Sequence, residues 1–172
     1  MDVRNLNKTL KDEAISYGLC AGWQRMWRNG WDRTELIRKF KEGIDFCIQH
    51  NYPNNGFIKK NFTADMLRDN GILVDDIRSF VNVSMCVFQG KSEAIARYNA
   101  WNAGTIYVRH NSFAVVTAKN MSLVIVHLFD NARVECSTTD KASIVVLRHG
   151  ENTKVMKFDG NVKIKDELDY LK

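Results

Sequence analysis

Four ten-residue blocks follow one another without a gap from position 111: NSFAVVTAKN, MSLVIVHLFD, NARVECSTTD and KASIVVLRHG. In each, the small or apolar residues fall on even positions: Ala114, Val116 and Ala118; Val124, Val126 and Leu128; Ala132, Val134 and Cys136; Ala142, Ile144 and Val146. The phase reaches back through Gly104, Ile106 and Val108 to Ala94 and Ala96. Side chains of a strand alternate faces with period two, so only an even repeat length keeps every unit facing the same way. His110, Asn120, Asp130, Asp140, Gly150 and Gly160 punctuate the blocks, and most are turn-forming types. Self-similarity of this kind decides the architecture before any local propensity does.

Two folds fit a strand-turn unit of this length. One is an antiparallel β-meander closing into a barrel, and the other is a β-solenoid with two units per coil. The inward residues are mainly Ala, Val, Gly and Cys, as expected where two sheets face each other across a thin core, whereas a small barrel needs larger side chains inside. The reading is therefore α+β: a helical N-terminal region over 1–80, a β-solenoid over 81–165 and a C-terminal cap over 166–172. The odd-position run Val81, Val83, Met85 and Val87 is expected to begin the stack out of phase, and the lysine-rich KVMKFDGNVKIKDELDYLK to end it.

The first eighty residues read as helices. Ile15, Leu19, Trp23 and Trp27 recur every four residues, which predicts one helix from about Lys8 to Arg28 ending at Asn29-Gly30. Asp32 and Glu35 have capping-box spacing, with Trp31 and Leu36 at staple positions; Leu36, Ile37, Phe40, Ile44 and Cys47 then form one buried face, stopped by HNYPNNG. Thr63, with Phe62 and Leu67, opens a third helix that leaves at Gly71.

The odd, outward positions of the repeat differ between alternate units. One set is mostly polar, with Arg97, Thr117, Lys119, Arg133 and Glu135 beside Ile95 and Val115. The other holds Tyr107, Leu123, Ile125, Val145 and Leu147, with His127 among them. An apolar outer face of this size is unusual on a monomer and is expected to be an interface, covered by the helices or by another subunit.

Units such as SLVIVHLFDNARVECSTTDKASIVV, behind a region containing EGIDFCIQHNYPNN and NGILVDD, resemble a group of uncharacterised β-solenoid proteins of gut Bacteroidales and their phages or mobile elements. The resemblance covers most of the chain and brings no catalytic residues. It implies a host-directed binding role, such as inhibition of a defence system.

Chemistry has few footholds. His110 and Asp130 are expected to stack at one corner, beside a ladder of Arg109, Phe129 and His149, and a His–Asp pair suits a general base. No nucleophile is placed near it, and corners select Asp, Asn and His for backbone reasons; Asn120 and Asp140 form the matching opposite ladder. Cys136 points inward as an inert thiol. Four scattered cysteines form no CxxC pair, so neither a disulfide framework nor a zinc site is expected, and no metal or cofactor is implied. The charged first twenty residues contain no signal-peptide core and no run is long enough to span a bilayer, so a cytoplasmic protein without membrane contact is expected.

A net charge of +5 and a pI near 9.0 allow anionic partners without demanding them. Arg25, Arg28, Arg38 and Lys39 lie among three tryptophans, as a nucleic-acid groove would have them, although the tryptophans are explained by the core stripe and the staple. The leading expectation is a non-enzymatic binding protein, a homo-oligomer or a binder of a host protein. Nucleic-acid binding through those four residues is second. A hydrolase at the His110 corner and sequestration of a small anion, the latter without a phosphate-cradling glycine loop, follow.

Overall fold

The computed structural model describes residues 1–169, which form two compact units, one spanning Met1–Met66 and the other beginning at Leu67. The first contains α1 (Val3–Ser16), α2 (Ala21–Met26), α3 (Arg33–Glu42), α4 (Ile44–Gln49) and α5 (Asn55–Asn61), and α6 (Ala64–Asp69) leads into the second.

The expected helix over 8–28 is two helices with an earlier start. Asp2 caps α1 by accepting from the Arg4 and Asn5 amides at 2.9 and 3.1 Å. Gly18, at φ +88°, ends it: the Gly18 amide donates to the Ile15 carbonyl and the Leu19 amide to Ala14, the paired pattern of a Schellman motif. The apolar spacing of Ile15, Leu19, Trp23 and Trp27 continues across the break between α1 and α2 at Gly18. Ile15 is consequently exposed, while Leu6, Leu10 and Ala14 form the buried stripe.

The second expected helix is likewise divided at Gly43, into α3 and α4. Its start is as read, since Asp32 Oδ1 accepts from the Glu35 amide at 2.9 Å. The Glu35 carboxylate pairs with Arg38 instead of closing the box. The stop signal HNYPNNG also hides a start: Asn54 caps α5, accepting from the Phe57 amide at 2.9 Å. Thr63 caps α6 through the Met66 amide at 3.3 Å.

The second unit is a parallel β-solenoid of about four turns. Its strands are β1 (Ile72–Val74), β2 (Ile77–Val81), β3 (Met85–Gln89), β4 (Glu93–Tyr98), β5 (Ala103–Val108), β6 (Phe113–Ala118), β7 (Leu123–Leu128), β8 (Arg133–Thr138), β9 (Ser143–Arg148), β10 (Lys154–Asp159) and β11 (Val162–Asp166). They alternate between a six-stranded sheet A, in the order β1-β3-β5-β7-β9-β11, and a five-stranded sheet B, β10-β8-β6-β4-β2. Every strand pair is parallel, which excludes the antiparallel meander. Strands begin at Ile72, ahead of the expected 81, and the expected cap over 166–172 falls partly outside the described residues.

Residues twenty apart stand in register: Val116 against Cys136, Val126 against Val146. The even positions of both sheets, from Ala94 to Val146, make one buried core. The expected phase break at 81–87 does not occur. Phe80, Cys86 and Phe88 already face inward on even positions, while Met85 and Val87 pair with outward Thr105 and Tyr107. Aromatic bulk outweighed the β-branched alternation. The core is wide at this end, where Tyr98 also enters; a methyl group at Gly104 would overlap its ring, so glycine there is a packing requirement.

The punctuating residues have a backbone reason. His110, Asn120, Asp130 and Asp140 all adopt left-handed φ of 56–60°, a region costly for most residues and tolerated best by Gly, Asn and Asp. Each sits second in a hydrogen-bonded four-residue turn, such as Ser112 N to Arg109 O at 3.2 Å and Ala132 N to Phe129 O at 3.0 Å.

Candidate interaction surfaces

Corner side chains bond to the backbone of the preceding coil. Asp130 Oδ2 accepts from the His110 amide at 2.8 Å, and Asp140 Oδ2 from the Asn120 amide at 3.1 Å. His110 Nδ1 accepts from the Gly90 amide at 3.0 Å. The Asp130 carboxylate is thus committed to the His110 backbone rather than to its ring. Burial, reinforced by the charge of Arg109, holds the His110 imidazole below its usual pKa. These contacts describe a turn ladder, which also engages hydroxyls: Ser112 Oγ donates to the Gly90 carbonyl at 3.3 Å and Thr139 Oγ1 to Asp140 Oδ2 at 3.1 Å.

A second ladder stacks aromatic rings. Tyr107 lies on His127 with centroids 4.7 Å apart, and Phe129 on His149 at 4.5 Å. His127 Nδ1 and His149 Nε2 are 2.9 Å apart, and His149 Nδ1 lies 2.9 Å from the Glu167 carbonyl oxygen. A carbonyl only accepts, so His149 Nδ1 carries a hydrogen, and both its nitrogens are engaged. Among the described residues no cluster of three or more His, Cys, Asp or Glu could hold a metal. Burial pushes the Cys136 thiol up to about 12, in keeping with a core residue.

The apolar residues of the repeat assemble on the outer face of sheet A. Thr105, Ile125 and Val145 form one column in register, and Tyr107, His127 and Leu147 the next. Leu123 stands beside them, opposite Ala103 and Ser143. Both long columns end on lysine, Lys163 opposite Val145 and Lys165 opposite Leu147. Tyr107 is buried, Leu123 is 44% exposed, and Ile125, Val145 and Leu147 are partly exposed. Sheet B is different outside: Val115 is followed by Glu135 and Lys157, and Thr117 by Ser137 and Asp159.

One surface residue was overlooked in the sequence. Trp101 is 80% exposed at the corner entering β5, and Met121, twenty residues on, is exposed at the next corner of that series. A tryptophan at a position the period assigns to a turn was the available signal, since turn tips ordinarily carry polar residues.

In the helical unit, Arg38 pairs with Glu35 and Glu42, and Lys39 Nζ lies 2.7 Å from Glu42 and over the Trp23 and Trp31 rings at 5.7 and 5.3 Å. Its hydrogen bonds from Arg38 hold the Glu35 carboxyl below the usual range. Two of the four suspected nucleic-acid contacts are therefore already neutralised. Arg25 lies in the last turn of α2, and Arg28 follows its C-cap Trp27. Among the described residues no helix is long and apolar enough to cross a membrane. Comparison with family models, curated proteins and solved structures finds no match, and no family or homologue is identified; of the resemblance noted in the sequence, the structure shows the β-solenoid fold alone.

Proposed function

We propose that this chain is a non-enzymatic binding protein whose working surface is the outer face of sheet A. The observation that carries this reading is the register that lines up Ile125 with Val145 and places Leu123 and Leu147 at their sides. Transfer of a Leu or Ile side chain out of water contributes about 1.5–3 kcal/mol, so a handful of such residues suffices to drive association. Trp101 and Met121 extend the apolar character to the adjoining corner, and an exposed tryptophan is the residue type most often dominant in an interface. The partner is a protein: a second copy of the chain, for which a self-complementary face closes naturally as a dimer, or a host protein, as a mobile-element origin would imply.

Sedimentation of the intact protein and of the Leu123→Arg/Ile125→Glu variant tests this. The expected result is a dimer that becomes a folded monomer in the variant. A monomeric wild type that captures a host protein, lost in the same variant and weakened by Trp101→Ala, supports the second partner. A monomeric wild type with no partner sensitive to these substitutions would sink the proposal. The nucleic-acid reading draws no support from the paired Arg38 and Lys39, and a charge-reversed Arg25/Arg28 variant in a low-salt binding assay would check it.

A further inference from the structure

The outer face of sheet B carries a basic depression that the repeat alone does not explain. Glu93, Phe113, Arg133 and Lys154, at the starts of β4, β6, β8 and β10, form one column in register. Neighbouring strands lie about 4.8 Å apart, so Arg133 and Lys154 are like charges side by side, a destabilising arrangement that an anion held between them would relieve. Neither forms an ion pair among the described residues. Glu135 stands in register with Lys157 rather than with either of them. The Arg133 guanidinium lies over the Phe113 ring at 5.6 Å, which orients it.

Three carboxamides complete the site. Asn111, Asn131 and Asn152 line, with Arg133 and Lys154, an open depression of about 330 Å³. Asn131 Nδ2 donates to Asn111 Oδ1 at 3.3 Å, a chain of amides that retains further donors and acceptors. Here, too, the repeat is irregular. The turn between β9 and β10 (149–153) is longer than its predecessor (129–132), and Gly150 does not take the left-handed φ of Gly90, His110 and Asp130. The register of β10 then slips between Val155 and Lys157. Bulges commonly re-aim side chains beside functional sites, and this one adjoins Lys154.

We propose that this depression binds the phosphate group of a small hydroxylated ligand, a sugar phosphate or a nucleoside monophosphate. The guanidinium and the ammonium recognise the oxyanion, and the carboxamides recognise the hydroxyls. The volume lies at the small end of the range for ligand sites. The site is separate from the apolar face of sheet A and does not depend on its role.

The test is an NMR titration that follows the backbone and the side-chain amides of Asn111, Asn131 and Asn152. The probes are glucose 6-phosphate, adenosine monophosphate, inorganic phosphate and glucose. Saturable shifts of those amides with a phosphate ester, and none with glucose, are expected, and the tighter of the two esters assigns the source. Arg133→Gln and Lys154→Gln should each weaken binding about tenfold or more, the loss of a charge-assisted contact. Arg97→Gln, which removes the same charge elsewhere on sheet B, should leave it within about twofold, because distant surface charges are screened. Absence of saturable shifts with every probe, or equal weakening by Arg97→Gln, would overturn the site. Inorganic phosphate binding as tightly as both esters would overturn the ligand class.

Discussion

The helical unit and the solenoid solve the same problem, satisfying buried backbone, in opposite ways. In the solenoid each coil repeats the last: the Arg133 amide donates to Ser112 O at 3.0 Å as the Phe113 amide does to Ser92 O at 2.9 Å. In the helical unit the long-range polar contacts are unique. Asn7, buried, donates to the Arg28 and Trp31 carbonyls at 2.9 and 3.1 Å and accepts from Trp27 Nε1 at 2.6 Å. Arg33 Nε donates to the Asn61 carbonyl at 2.9 Å, and the Tyr52 hydroxyl to the Leu10 carbonyl at 2.5 Å. Repetition spreads stability over many equivalent positions. Unique contacts concentrate it in a few.

The largest expected effect tests how strictly the repeat keeps its two faces apart. Val134 is fully buried between the sheets, and Val134→Asp should cost about 4 kcal/mol or more, by burying a charge without a partner. Val115→Asp, on the half-exposed outer side of sheet B, should stay within about 1 kcal/mol. Urea unfolding curves that move equally for both would break the alternation on which the fold rests.

Asn7→Ala should follow in size, at about 2–4 kcal/mol, because it orphans an indole N–H and two carbonyls at once. Three of the four tryptophans, Trp23, Trp27 and Trp31, lie in the helical unit, so fluorescence in a Trp101→Phe background reports on that unit alone. Loss of its transition ahead of the β-sheet circular dichroism signal is the expected outcome. An unchanged fluorescence midpoint would show that the polar knot carries no stability.

This contrast also explains what could be read from the sequence. An even repeat leaves a phase that survives any single exception, so the inward residues from Ala94 to Val146 were legible, as were the corners. The helical unit has no such redundancy. One glycine, Gly18, divides a stripe that the periodicity of Ile15, Leu19, Trp23 and Trp27 would carry across it. Asn54 caps a helix inside a segment that also reads as a stop. At the solenoid's first turn, Val83 does pack against the core, and Met85 and Val87 extend its apparent phase although they stand in register with outward Thr105 and Tyr107. The apolar outer columns could be foreseen from the same phase. The depression around Arg133 could not, since it arises where the period is broken by one longer turn and a bulge.

At the corners, the comparison is sharpened by separating backbone from hydrogen bond. Asp130 holds a left-handed φ and accepts from the His110 amide. Asp130→Ala should lose both contributions, about 1–2 kcal/mol, whereas Asp130→Gly relieves the backbone and should lose only the hydrogen bond, about 1 kcal/mol or less. Asp140 has the same geometry toward Asn120 and should behave alike in thermal unfolding. Agreement of the two series would confirm equivalent coils; a corner that tolerates alanine freely would be an exception to the repeat.

The smallest expected effect is a pH dependence at His110. Its Nδ1 accepts from the Gly90 amide, so protonation would set two N–H groups against each other. Burial and the Arg109 charge also disfavour the cation, while Asp130 and Asp75 favour it less strongly, and the folded pKa lies below the usual 6.5. The unfolded chain therefore takes up a proton first as the pH falls. This contribution to stability is complete above pH 6.5 and is lost as the pH falls through the folded pKa. His110→Asn keeps a residue type suited to left-handed φ and a side-chain acceptor but removes the titration. Melting temperatures compared at about pH 7.5 and about pH 5 should fall less in the variant than in the wild type, since only one ionisation differs between them. An identical fall would mean that the proton reaches His110 without opposing the corner hydrogen bond, and that this position is held by its backbone conformation alone.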